Sequence, residues 1–254
     1  MVRHPDASPD VHVTRRRRPT PEGVPAHPVD LCDAEGVERL FVDLAPRVVV
    51  HTAYTTTSHD DIVTASRVVA EACARHGAEL VHLSTESVFD GEHAPYAEDD
   101  EPTPVHDYGR WKAEAEVAVA AALPEVCIVR PSLVVSLDPP DPGTARVLSA
   151  ATGDDDLVLF DDELRQPILA DDLAGELWAL THLDGGARAG VWHLPGPEVL
   201  SRADLGRRLC ARAGLDPRGL RSGRQQDHVG GPRPRDLTML AVRREELGRP
   251  PRRI

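Results

Sequence analysis

Asparagine is absent from this chain of 254 residues, and Lys112 is the one lysine among 29 basic residues. A skew of that kind is mostly neutral. A lysine kept where arginine otherwise serves still points to a need for an ammonium, which a guanidinium cannot supply. Aromatic residues make up 4% of the chain. Apolar runs are short, Val126–Val129 being typical, and none nears the roughly 20 residues of a membrane span. The arginine run Arg15–Arg18 leads into prolines, not into the apolar stretch of a signal peptide. The four cysteines, Cys32, Cys73, Cys127 and Cys210, form no CxxC pair. That disfavours a disulfide scaffold or a zinc ribbon and fits reduced, buried thiols of a cytoplasmic protein. None of the 12 histidines stands in an HxxH or HExxH pair, so no metal centre is expected. A Gly-x-Ser-x-Gly elbow, the mark of one hydrolase class, is missing too. Basic excess is lacking: 29 Lys+Arg against 42 Asp+Glu gives −13. That balance argues against a nucleic-acid partner and against an anionic membrane surface.

What is present suits one domain or a two-lobed unit with a substantial core: 41% hydrophobic and 28% charged residues. Residues 1–29 read as irregular, with a strand-like piece at Val11–Thr14. Asp33 is placed to cap a helix carrying Val37, Leu40, Phe41 and Leu44, stopped by Pro46. Arg47–Tyr54 is a β-branched run typical of a buried parallel strand. A helix is predicted from Ser58, with Asp61 completing a capping box, to His76, with Gly77 as its stop. Strand Leu80–Ser84, an acidic irregular stretch, a helix from Tyr108 to Leu123 and strand Val126–Val135 follow. Strand and helix in alternation predict an α/β fold, a Rossmann-like doubly wound parallel sheet over residues 1–135. Residues 136–254 predict a smaller substrate-binding lobe at the sheet's carboxyl edge. There Pro139, Pro140 and Pro142 break the chain. Asp171–Thr181 is a helix, and Ser201 caps another that Gly214 ends.

Tyr108-Gly-Arg-Trp-Lys112 opens a helix, so the phenol and the ammonium stand one turn apart on one face. A free tyrosine has a pKa of about 10. A neighbouring ammonium stabilises the phenolate and makes the group a usable acid or base near neutrality. The spacing alone is common on helices that do no chemistry. Thr85, after a strand, is placed to hydrogen-bond a substrate carbonyl. An isolated strand-end hydroxyl usually serves loop backbone instead.

Together, Val48-Val-Val-His-Thr-Ala-Tyr54, Ser84-Thr-Glu-Ser-Val-Phe-Asp-Gly91, Pro95-Tyr-Ala-Glu98, Tyr108–Lys112 and Val129-Arg-Pro-Ser132 resemble extended short-chain dehydrogenase/reductases. The closest likeness is to dTDP-4-dehydrorhamnose reductases and their sugar-nucleotide-binding relatives. Asp171-Asp-Leu-Ala174, Val191-Trp-His-Leu-Pro-Gly-Pro197 and Arg233-Pro-Arg-Asp-Leu237 continue the likeness, which covers about residues 10–254. The resemblance implies hydride transfer from NADP, or NAD, to the C4 ketone of a deoxysugar nucleotide. Tyr108 would be the proton donor, Lys112 its electrostatic partner and a ligand of the nicotinamide ribose, and Thr85 the group orienting the carbonyl. Cofactor contacts would come from Arg15, Arg16, Asp30, Leu31, Thr52, Ala53 and Tyr54. Arginine at 15 and 16 suits a 2′-phosphate and favours NADP. Arg15–Arg18 as a solvated basic tail is the competing reading. Substrate contacts would come from Ser87, Val88, Phe89, Ser132 and Arg165, with Arg233–Arg235 near phosphate. The partners implied are a nucleotide-sugar and, as an oligomer, a homodimer.

The chain departs from that family in three ways. The opening strand, Gly-x-x-Gly-x-x-Gly turn and helix are missing, since the first glycines, Gly23 and Gly36, stand in no such setting. Two explanations stay open: a start set one β-α unit late, or a true remnant with a weakened cofactor site. In the first case the native protein is an ordinary reductase; in the second a flank of the sheet is left exposed. The asparagine usual after the fourth strand is replaced by His51-Thr52, and Ser87 stands where tyrosine is frequent. With no asparagine anywhere, an asparagine-based proton relay is unavailable. Two further readings follow: a non-catalytic sugar-nucleotide-binding or regulatory subunit, and an epimerase or dehydratase with Glu86 as its acid or base.

Overall fold

A computed structural model describes residues 11–16, 20, 22–227, 230–248 and 250–254. Arg17 and Arg18 of the basic run lie outside the described residues. The first part of the chain runs β1 (Val13–Arg15), β2 (Ala26–Pro28), α1 (Ala34–Leu44), β3 (Val48–His51), α2 (Val63–His76) and β4 (Glu79–Leu83). A 3₁₀ turn at Glu86–Val88 precedes α3 (Asp107–Ala122) and β5 (Cys127–Pro131). Then come β6 (Val134–Val135), α4 (Pro142–Thr152), β7 (Val158–Phe160), β8 (Leu164–Arg165), β9 (Ile168–Leu169) and α5 (Ala170–Leu180). The last elements are α6 (Gly185–Arg188), β10 (Gly190–Leu194), β11 (Leu200–Ser201), α7 (Arg202–Ala213) and β12 (Arg221–Gly223). This is the expected α/β fold. A four-stranded sheet runs β10-β5-β4-β3. Its β3 and β4 are parallel, in register from Val48 opposite Glu79 to His51 opposite His82. Among the described residues no helix is long and apolar enough to cross a membrane.

The chain packs as two compact units. The first takes the described residues up to Leu83, Trp111–Ile128 and Leu177–Gly190; the second takes Ser84–Arg110, Val129–Glu176 and Val191–Ile254. In the first, α2 packs on β3 and β4, and α1 packs on α2. Val37 and Phe41 of α1, Val68, Val69 and Cys73 of α2, and Leu80 and Val81 of β4 are buried there. Among the described residues β1 pairs with β2, in a separate parallel two-stranded sheet. β3 therefore ends the larger sheet, and Val50 on it and Tyr54 just beyond are exposed. In the second unit, Val135, Val147, Leu159, Leu205 and Leu209 form one apolar cluster joining β6, α4, β7 and α7.

Several element ends differ from expectation, each for a local reason. Asp33 occupies the N-cap of α1, but its side chain caps no amide. It sits 3.7 Å from Arg39 instead. α2 starts at Val63 and not at Ser58, because Ser58 Oγ accepts the Asp61 amide in a turn (3.2 Å) outside the helix. Gly77 ends α2 as expected, with φ 67°. The prolines after residue 138 do not simply break the chain. Asp141 caps α4 by accepting the Gly143 and Thr144 amides, and Pro142 fills the first turn, where its missing N–H costs nothing. β2 was read as irregular; its pairing to β1 is non-local and leaves little pattern in three residues. Ser201 caps α7 as expected, accepting the Asp204 amide.

Candidate active site

Thr85 follows the carboxyl end of β4 in extended conformation and caps the 3₁₀ turn, its Oγ1 accepting the Ser87 amide at 3.2 Å. The turn is braced by the Thr103 amide on the Val88 carbonyl (2.8 Å). Val88 and Phe89 are fully buried, with Phe89 stacked on Tyr96 at 4.1 Å and 9° and edge-on to His193 at 5.8 Å. Both side chains are core beneath the turn, where apolar side chains gain most. Ser87 remains half-buried on the turn.

Asp107 begins α3, and Tyr108, half-buried, follows. His106 caps this helix in a way the sequence did not announce: its Nδ1 accepts the Gly109 amide at 3.0 Å. Burial holds the His106 pKa down, which keeps the ring neutral and able to accept. Gly109 has no room for a side chain, since a Cβ would lie 2.2 Å from the Ser87 carbonyl oxygen. That close approach sets the turn bearing Thr85 and Ser87 directly against the start of the helix bearing Tyr108. Gly109→Ala should therefore destabilise the fold by about 1–3 kcal/mol. The clash outweighs the gain of about 1 kcal/mol that alanine brings to a helix interior. Chemical denaturation of the variant checks this.

Four residues on from Tyr108 along α3, Lys112 belongs to the first unit and is 3% exposed. Its Nζ donates to the Leu83 carbonyl at 2.6 Å. Burial pulls its pKa down to about 8, partly opposed by Glu116. The one lysine of the chain is thus a desolvated ammonium held by the last residue of β4. With one N–H committed, two donors remain.

Arg15, Arg16, Asp30, Leu31 and Thr52–Tyr54 all belong to the first unit. Arg15 ends β1 and Arg16 follows it, and the Arg15 carbonyl accepts the Val29 amide at 3.1 Å, which brings Asp30 and Leu31 alongside. Asp30 Oδ1 accepts the Cys32 amide. Arg16 is not a free cation: it forks onto Asp61 at 2.6 and 2.8 Å and lies 3.7 Å from Asp30. Arg15 and Arg16 are both exposed, and Arg16 is the one held in an ion pair. Asp30, Cys32 and Asp61 bring ligand-type atoms within 4.8 Å of one another, but Arg16 already neutralises this cluster. Thr52, Ala53 and Tyr54 are exposed beyond β3.

Ser132 and Arg165 lie within the second unit. Both are buried. Ser132 Oγ donates to Glu86 and accepts the Gln166 amide at 3.1 Å. Arg165 lies 3.2 Å from both Glu86 and Glu163 and donates to the Leu164, Arg235 and Pro234 carbonyls. Its donors face protein acceptors, not an incoming phosphate. Arg233 forks onto Glu163 at 2.9 and 3.0 Å, and Arg235 stays exposed. Burial pushes Glu86 up to about 7, against the pull of Arg165 and Ser132.

Residues 8–252 match the RmlD substrate binding domain. A dTDP-4-dehydrorhamnose reductase of Mycolicibacterium smegmatis is 33% identical over 236 residues, spanning 88% of this chain and 71% of that protein. Methionine adenosyltransferase 2 subunit beta of Bos taurus is 30% identical over 256 residues, spanning 92% and 73%. Among solved structures, dTDP-4-dehydrorhamnose reductase from Bacillus anthracis in complex with NADP shares the fold. Its TM-score is 0.75 at 18% identity, over 90% of this chain and 89% of that one. With a match across nearly its whole length, the chain belongs to the RmlD substrate-binding-domain family.

Proposed function

We propose that the chain is an NADP-dependent reductase of a 4-keto-6-deoxysugar nucleotide. The observation that carries this reading is the Tyr108–Lys112 pair, with its ammonium buried and tied to Leu83. At the nicotinamide and adenosine ends the residues fit the cofactor. Lys112 keeps two donors for the nicotinamide ribose, and Thr52–Tyr54 and Arg15, which would meet a 2′-phosphate, are exposed. No residue is assigned to the pyrophosphate, since the sequence contains no Gly-x-x-Gly-x-x-Gly turn. When bound, the cofactor supplies the hydride to C4.

The chain's own residues handle the proton. Tyr108 holds it on the phenol oxygen and gives it to the ketone oxygen. The Lys112 ammonium lowers the cost of the phenolate left behind. Thr85 accepts from the Ser87 amide with its oxygen lone pair, which leaves its own O–H to donate to the ketone oxygen and polarise it. NADPH consumption dependent on dTDP-4-keto-6-deoxysugar is the test, with the free sugar as control. Consumption without the sugar nucleotide, or none with it, contradicts the reading.

A second reading, a sugar-nucleotide-binding subunit without turnover, draws on the likeness to methionine adenosyltransferase 2 subunit beta. Sugar-nucleotide binding with no NADPH binding in a titration would favour it.

A further inference from the structure

The turn that carries Thr85 and Ser87 is fastened on its inner side by a buried charge. Glu86 is 5% exposed. One carboxylate oxygen accepts from Ser132 Oγ, and the other lies 3.2 Å from Arg165 Nε. Arg165 is shared with Glu163, which also holds Arg233 and lies 3.8 Å from Arg202. Two carboxylates and three guanidiniums therefore form one network within the second unit. Taking such charges out of water is expensive, and apolar residues of similar volume are often as stable. Stability alone is a poor reason for this arrangement; fixed geometry is a better one. The same turn meets α3 through the Ser87 carbonyl, which is pressed against Gly109, the neighbour of Tyr108.

From these contacts we infer that Glu86 is a positioning residue. By tying the turn to Ser132 and Arg165 it holds the Thr85 hydroxyl at a fixed place relative to Tyr108, and it acts through Thr85 without meeting substrate. The kinetic consequence rests on the reductase reading; the clamp itself does not. A misplacement of about 1 Å is enough to cost about 10²-fold in rate.

The test uses Glu86→Asp, which is too short to reach both partners, Glu86→Gln, and Ser132→Ala, which removes the clamp from its far side. Two readouts are taken on each folded variant: amide hydrogen exchange over residues 85–89, and steady-state kinetics. Exchange should rise about tenfold or more as the turn loosens. The kcat should fall about 10- to 100-fold, with the KM for NADPH unchanged. Glu86→Gln should be the mildest, because its amide oxygen still accepts from Ser132. Unchanged kcat in Glu86→Asp and Ser132→Ala, with the natural chain active, overturns the inference. If the natural chain shows no turnover, the reductase reading fails and exchange alone decides. Raised exchange then upholds the clamp, and unchanged exchange overturns it.

Discussion

Tyr108→Phe should lower kcat by roughly 10²–10⁴-fold, the usual worth of a positioned general acid, with little change in folding stability. The substitution removes one oxygen from a half-buried ring and leaves helix α3, its His106 cap and the Gly109 contact in place. KM values should hold, because the lost interaction is made mainly in the transition state. The pH profile offers a second check. Burial sets the Lys112 pKa at about 8. Above that pH the ammonium is lost and the phenolate loses its support, so kcat should decline in the natural chain. An equal rate in Tyr108→Phe, measured by NADPH consumption, would remove this residue from the chemistry.

The second large expectation concerns acid. His51 and His82 face each other across β3 and β4, rings stacked at 5.5 Å and 22°, and both are buried. Neither ring nitrogen of His82 has a hydrogen-bond partner. Burial, helped by the Lys112 charge, lowers His51 to about 4 and His82 well below its ordinary 6.5. Burial likewise lowers His193 to about 4. These rings stay neutral in the folded chain and take up protons on unfolding below pH 6.5. The stability they contribute is complete above that pH and is lost as pH falls toward 4, roughly 3 kcal/mol each for His51 and His193, with His82 acting in the same direction. Glu86 acts with the opposite sign. Raised to about 7, it holds its proton better folded than unfolded and offsets about one ring. Denaturant midpoints should therefore drop steeply between pH 6.5 and 4.5. His82→Phe, which removes the two unpartnered nitrogens at similar volume, should be as stable as the natural chain at pH 7 and more stable at pH 5. Equal pH slopes for the two proteins would contradict this account.

Much of the fold was legible because local pattern and tertiary demand coincide. The β-branched run around Val48–His51, the glycine stop at Gly77 and the Ser201 cap are local signals. The Tyr108–Lys112 pair was legible because helix periodicity alone places it. What stayed hidden depends on partners far along the chain. Arg16 looks like a phosphate ligand until Asp61, 45 residues away, is found on it. Arg165 looks the same until Glu86 and Glu163 surround it. Val88 and Phe89 sit in a motif with a functional neighbour, yet face the core. His106 is one residue of a short irregular stretch, and only the folded turn gives its ring an amide to accept.

The central claim is that this chain moves hydride to the carbon whose oxygen Tyr108 protonates. Turnover of a 4-keto-6-deoxysugar nucleotide with NADPH deuterated at the transferring position tests it most directly. Deuterium at C4 of the product sugar, formed by the natural chain and largely lost in Tyr108→Phe, is the expected result. Deuterium at another carbon, or label at C4 undiminished without the phenol, would contradict the account.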